Sequence, residues 1–346
     1  MSLLPTDAPA AAGRGRWKQV LIRLGPLLGL VFVYVLFVFI APPTFRTTEN
    51  LETIARQTTT VAIAALGMTL VIISAGIDLS VGSIVASSTV VIAWMLQGTF
   101  GDQVQASEPA TRAFVYPLLF ALATIGVGAL CGLISGLLIT RLRVVSFIVT
   151  LGMMLIVRGV GKGLAHEEKI MAPETWLNRI LETLGPEQQW MLLPGGVWLL
   201  IFLAVLMAGV LRYTRFGRHV FAVGSNEQTA RLCGVPVNRV KVIVFTLSGV
   251  FAGLAGVMQF SRLSVGDPTV VIGLELEVIA AVVIGGASFA GGEGTILGTM
   301  VGALIMGVIR SGCSQMDLPN WVQEIVTGGI IIVAVALDNL RHRRAT

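Results

Sequence analysis

The chain has 346 residues, 55% of them hydrophobic and 12% charged, where an ordinary soluble protein carries roughly 25% charged residues. Forty glycines and a mean hydropathy of +0.85 point to close-packed helices in lipid, because glycine lets backbones approach. The net charge of +5 alternates with apolar runs and forms no single patch, which argues against a nucleic-acid surface.

In chain order, residues 1–24 read as a basic, disordered cytoplasmic tail leading into an uncleaved signal-anchor, since no cleavage site is evident. Apolar runs then fall at about 25–42, 58–76, 80–97, 114–140, 144–163, 194–211, 242–262, 276–291, 295–312 and 321–339. The fold expected is all-α, a polytopic membrane protein of about ten spans. The membrane domain covers 25–340, with a basic tail at 341–346. Placing both termini inside assigns Arg14, Arg16, Lys18, Arg23, Arg141, Arg143, Arg212, Arg215, Arg218, Arg231, Arg239, Lys241, Arg341, Arg343 and Arg344 to the cytoplasm. Those are fifteen of the 24 Lys and Arg residues, as the positive-inside rule requires.

Segments 98–113 and 164–193 mix acids with bases and are expected outside. Trp176, Trp190 and Trp198 mark the outer headgroup level there. In "ETWLNRILETL" (174–184) the spacing of Trp176, Ile180 and Leu184 predicts a short helix lying on that surface. Cys131, Cys233 and Cys313 lie far apart without metal spacing and read as small packing residues. His166, His219 and His342 are too dispersed for a zinc site.

The cytoplasmic loop 212–241 is the most polar stretch inside the membrane domain. Its "SNEQ" (225–228) predicts a helix start at Ser225, in a capping box with Gln228, or one residue on at Asn226. Gly234 is placed to end a helix of seven or eight residues, and Pro236 to prevent its continuation. Such an element is built for docking; the alternative is a loop that only fixes topology.

Two span pairs are nearly fused, at "SAGIDLSVGS" (74–83) and "GGASFAGGEGT" (285–295). Asp78 and Glu293 are each placed to cap the following span, with a gating role as the alternative. The neighbouring glycines, including Gly82, Gly285 and Gly286, serve close packing, and with Ser80 they line a path if the broken spans do. Arg158, Arg262, Glu275, Glu277, Arg310 and Glu324 fall near outer span ends. They either snorkel to the interface or form an outer gate or docking surface.

Three stretches, "GMTLVIISAGIDLSVGSIVA" (67–86), "GSNEQTARLCGVPVNRVK" (224–241) and "GGASFAGGEGTILGTMVGALIMG" (285–307), resemble the ribose-type sugar permeases of bacterial ABC importers. The similarity extends over about 45–339. The resemblance implies an inner-membrane homodimer with a cytoplasmic ATPase subunit and a periplasmic sugar-binding protein. It makes Asn226, Glu227, Ala230, Arg231 and Gly234 coupling positions, with Arg231 paired to an acid on the ATPase. ATP and Mg belong to that partner: this chain carries no G-x-x-x-x-G-K-[ST] phosphate loop and is expected to hold no cofactor itself. The runner-up is an ion-coupled carrier using Asp78 and Glu277. A membrane enzyme is disfavoured because no nucleophile, base or metal set is legible.

Overall fold

A computed structural model of the chain describes residues 12–97, 114–185 and 190–343. The expected outer segment 98–113 lies outside the described residues. Every expected apolar run carries a helix: α1 Ala12–Ile40, α2 Thr48–Ile73, α3 Val81–Gln97, α4 Tyr116–Leu142 and α5 Ser146–Leu164. After a one-turn helix, α6 Trp176–Arg179, follow α7 Gly195–Tyr213, α8 Arg215–Ser225, α9 Glu227–Leu232 and α10 Val237–Leu263. The chain ends with α11 Leu274–Ile284, α12 Ile296–Gln315 and α13 Asn320–Arg343. Six of these (α2, α4, α5, α7, α10, α12) are long and apolar enough to cross a bilayer. The chain is helical from Ala12, against the disordered tail expected over 1–24; residues 1–11 lie outside the described residues.

The helices form an inner set and an outer set. In the most apolar window, 89% of α2, 78% of α12 and 61% of α10 is buried, against 33%, 22% and 28% for α4, α5 and α7. The outer helices turn Leu119, Leu122, Leu155, Ile156, Phe202 and Val205 outward, an apolar exterior that only lipid can solvate.

Glycine sets the distance between the layers. Gly128, Gly132 and Gly136 lie four apart on one face of α4. They meet the α10 backbone so closely that an added Cβ would overlap the Gly249 carbonyl, the Phe245 carbonyl and Val242 Cα. With no hydrophobic driving force between helices in lipid, this close contact is the main source of attraction. A buried polar bond supplements it between α2 and α12, where the Thr69 and Thr299 hydroxyls lie 2.8 Å apart.

Three expectations are corrected. The 174–184 segment does not lie on the surface. Leu177 and Leu181 are fully buried, and Ser261 Oγ accepts the Leu181 amide at 3.0 Å while Arg56 Nε donates to the Leu181 carbonyl at 2.5 Å. The buried face is shifted one residue from the expected one because these tertiary partners, and not an interface, hold the turn. Cys233 is exposed and not a packing residue, unlike the buried Cys313. The run expected at 276–291 ends as helix at Ile284, so α11 is about 16 Å long, half a bilayer core.

The α4–α10 contact predicts a difference between two faces of one helix. Gly132→Leu should destabilise the purified protein by about 3 kcal/mol or more, since backbone on the α10 side cannot yield. Gly126→Leu, which meets nothing within 4 Å, should leave the thermal midpoint unchanged.

Candidate coupling and translocation site

The polar loop is mostly helical. Thr214 caps α8, its hydroxyl accepting the Gly217 amide at 3.1 Å. Val220, Val223 and Gly224 are buried while Arg215 and Arg218 face out, so α8 lies against the bundle with its bases toward water. Ser225 is the last residue of α8 and not a cap. Asn226 turns extended and caps α9, Oδ1 accepting the Thr229 amide at 2.8 Å. The α9 helix ends as expected at Gly234 (φ +81). There the Gly234 amide donates to the Arg231 carbonyl at 3.1 Å and the Val235 amide to the Ala230 carbonyl at 3.0 Å. Pro236 directly precedes α10.

Of the expected coupling residues, Ala230 is buried and seats α9 on its own chain. Glu227 is held from both sides, by Lys241 Nζ at 2.6 Å and by Arg231 Nη2 at 3.1 Å. The outward face presents Gln228, Thr229, Arg231, Leu232 and Cys233, and Leu232 is 89% exposed. Hydrogen bonding from Lys241, against a smaller opposing effect of burial, holds the Glu227 carboxyl below its ordinary value of 4.5.

The three motif stretches converge. The Gly292 amide donates to the Ile73 carbonyl at 2.8 Å, joining the end of α2 to the loop before α12. A Cβ on Gly224 would overlap the Ile73 carbonyl and approach Gly292 N to 2.6 Å. One on Gly291, at φ +83, would lie 2.8 Å from the Gly224 carbonyl, and one on Gly292 3.0 Å from Ser225 Cα. The end of α8, from which α9 hangs, thus rests on both span breaks, backbone on backbone at Gly224 and with the Ser225 hydroxyl beside Gly292.

Asp78 lies inside the bundle. The Ile72 and Val71 carbonyls accept the Ala75 and Gly76 amides at 2.9 Å each, turning the chain back along α2. Ser80 donates to Asp78 Oδ1 through its amide at 3.0 Å and its hydroxyl at 2.6 Å, and Ser248 Oγ donates to Oδ2 at 2.8 Å. Ser248, in turn, packs against Gly67, six residues and about 9 Å back along α2 from Ile73. The carboxylate therefore organises the turn before α3 and ties it to α10, which is more than a helix cap.

The other path candidates do not gather around it. Gly82 packs on Glu275, Gly285 packs backbone-to-backbone on Gly298, Gly286 (φ +94) is exposed, and Glu293 is exposed at the end of the bundle. Thr295, not Glu293, caps α12, accepting the Gly298 amide at 3.0 Å. Toward the far end of α10, Glu277 pairs with Arg310, and Arg158 lies 3.8 Å from Glu275; Glu324 is exposed. Sequence reasoning missed Ser248 and the pairing of Lys241 with Glu227. Gly291 and Gly292, read with the other glycines of the breaks as close-packing residues, do pack closely, against Gly224 and Ser225.

A bundle with an apolar exterior, two breaks between short apolar helices and the end of a small helix resting on both fits a multi-pass membrane permease. The chain belongs to the family described as branched-chain amino acid transport system / permease component, whose profile matches residues 50–335. It is 38% identical to the ribose import permease protein RbsC of Escherichia coli (strain K12) over 327 residues, 94% of this chain and 96% of that one. It is 36% identical to the L-arabinose ABC transporter permease protein AraH of Azospirillum brasilense, covering 97% of this chain and 93% of that one. The fructose import permease protein FrcC of Rhizobium meliloti is 38% identical, over 90% of this chain and 84% of its own. No solved structure matches the chain.

Two predictions follow from this geometry. Asp78→Asn should retain most stability, because its Oδ1 still accepts from Ser80 and the Ser248 hydroxyl can rotate to accept. Asp78→Ala should lose about 2–4 kcal/mol in thermal unfolding, since it strands buried Ser80 and Ser248 donors. For Glu227, a lowered carboxyl value in the folded state means its contribution is complete above 4.5 and lost as pH falls through the folded value. Hydrogen exchange of residues 227–235, corrected for intrinsic rates, should therefore stay slow from pH 7 to 5 and quicken below 4.5, and Glu227→Gln should quicken it already at pH 7.

Proposed function

We propose that this chain is the membrane-spanning subunit of an ATP-driven importer for a monosaccharide. Two copies form a homodimer around a two-fold path, each carrying one coupling helix for one of two ATPase subunits. ATP and Mg are bound by those partners, and a periplasmic binding protein delivers the sugar. The relatives named for ribose, arabinose and fructose support the substrate class.

The single observation that carries the mechanism is the contact of Gly224 with both Ile73 and Gly292, beside that of Ser225 with Gly292. A push on α9 reaches the end of α2 and the start of α12 through backbone alone. In the proposed topology the chain crosses ten times, with α11 and the stretch 264–273 together completing one crossing, and both termini and α9 lie in the cytoplasm. The position of the basic residues supports that orientation. Within the assigned coupling set, Asn226 and Gly234 shape α9, Ala230 seats it, Glu227 braces it, and Arg231 with Leu232 meets the ATPase.

The test is a reconstituted complex of permease, ATPase and binding protein in vesicles. Leu232→Asp and Arg231→Glu should leave dimer yield unchanged and abolish sugar-stimulated ATP hydrolysis. Normal coupling in both variants would sink the assignment of α9.

A further inference from the structure

Beside the coupling helix lies a cavity of about 440 Å³, walled by the end of α4, the turn into α5, α9 and the first turns of α10. Arg143, Arg231 and Lys241 line it with one acid, Glu227, with the neutral donor Asn238, and with Thr140, whose hydroxyl donates to the Gly136 carbonyl at 2.8 Å. Arg231 and Lys241 are both engaged by Glu227, whose single charge cannot balance them. Arg143 has no acidic partner among the described residues, and it is fixed in the left-handed conformation (φ +54) that ends α4. A non-glycine residue held there costs about 1 kcal/mol or more, and such strain concentrates where a side chain is being aimed.

The cavity does not stop at water. A second hollow of about 360 Å³ shares Thr140 and Asn238 with it and continues between α4 and α10 along Leu137, Val242 and Ile243, with Arg141 and Arg239 on its rim. Leu137 and Ile243 are exposed on the apolar exterior, as are Leu142 and Val145 on either side of the turn. Positive charge, a neutral donor and an apolar groove running into the lipid therefore follow one another over a few ångströms of depth.

We propose that this is a binding site for an anionic phospholipid. Its phosphate sits between Arg143 and Lys241, with Asn238 as a further donor, and one acyl chain lies along the Leu137–Ile243 groove. Basic pockets between helices at the cytoplasmic face suit such headgroups. A free phosphate would satisfy the bases alone and leave the groove without an occupant. An acidic loop of the ATPase would approach from the water and not use the groove either. The lipid phosphate shares Lys241 with Glu227, so the site bears directly on the brace of α9. This placement at the cytoplasmic face rests on the topology proposed above.

The experiment is native mass spectrometry of the purified dimer, with retained phosphatidylglycerol as readout, which needs neither sugar nor ATPase activity. Wild type exchanged into mixed phosphatidylglycerol and phosphatidylcholine should retain phosphatidylglycerol. Arg143→Gln should lower retention about tenfold, the loss of one charge-assisted contact. Thr140→Trp, which fills the cavity without changing charge, should lower it as much. Arg218→Gln, a base on the same side but outside the cavity, should retain it. Equal retention in all four proteins would overturn the site. Displacement of the lipid by millimolar inorganic phosphate would overturn the lipid in favour of a free anion. Its complete displacement on adding the ATPase subunit would overturn it in favour of a protein contact. Failure of Leu232→Asp to uncouple would leave the retention data untouched, so the two assignments stand or fall separately.

Discussion

Backbone that leaves the helix inside a membrane has no water to satisfy its amides and carbonyls, and each unmet group costs several kcal/mol. This chain leaves the helix at 74–80 and again at 285–295; the inner bundle encloses most of the first stretch, while the second lies at the end of the bundle with Gly286, Ala290, Glu293 and Thr295 exposed. Ser146 Oγ accepts the Ile77 amide, Thr150 Oγ1 donates to the Ile77 carbonyl, and Asp78 collects Ser80 and Ser248. The Ile73 carbonyl is met by Gly292. Helices α5, α10 and α12 are therefore held against the breaks by hydrogen bonds that the breaks require, and α4 and α7 cover this polar interior with an apolar coat.

The same requirement explains why α8 and α9 sit where they do. A side chain at 224, 291 or 292 would separate α8 from the breaks and expose their backbone, so glycine occupies all three positions. Closure of the breaks and attachment of α8 are one contact.

Much of this was legible in the sequence, for identifiable reasons. Spans announce themselves by length and apolarity, and Gly234 announced the end of α9 because a left-handed terminus favours glycine. The choice between Ser225 and Asn226 was not legible, since both side chains cap equally well; it was decided by α8 running one residue further, a matter of how Val220, Val223 and Gly224 pack. The depth of Asp78 was hidden because its partner Ser248 is 170 residues away on another helix. The 174–184 stretch was misread because amphipathic spacing cannot distinguish a membrane surface from a buried pocket, and here Ser261 and Arg56 supplied the pocket. The path candidates were chosen for lying in breaks, but a break brings backbone together without bringing its side chains to one place.

The junction of Gly224, Ile73 and Gly292 has a mechanical consequence. Side chains at an interface act as shock absorbers: they change rotamer and take up small displacements before the backbones behind them feel anything. At this junction there are none, and main chain rests directly on main chain. Protein interiors are nearly incompressible. A shift of the α8 terminus by a fraction of an ångström is thus handed on without slack, to two helices at once and by the same amount. The ends of α2 and α12 are thereby tied to one point on α8, and a displacement there reaches both helices.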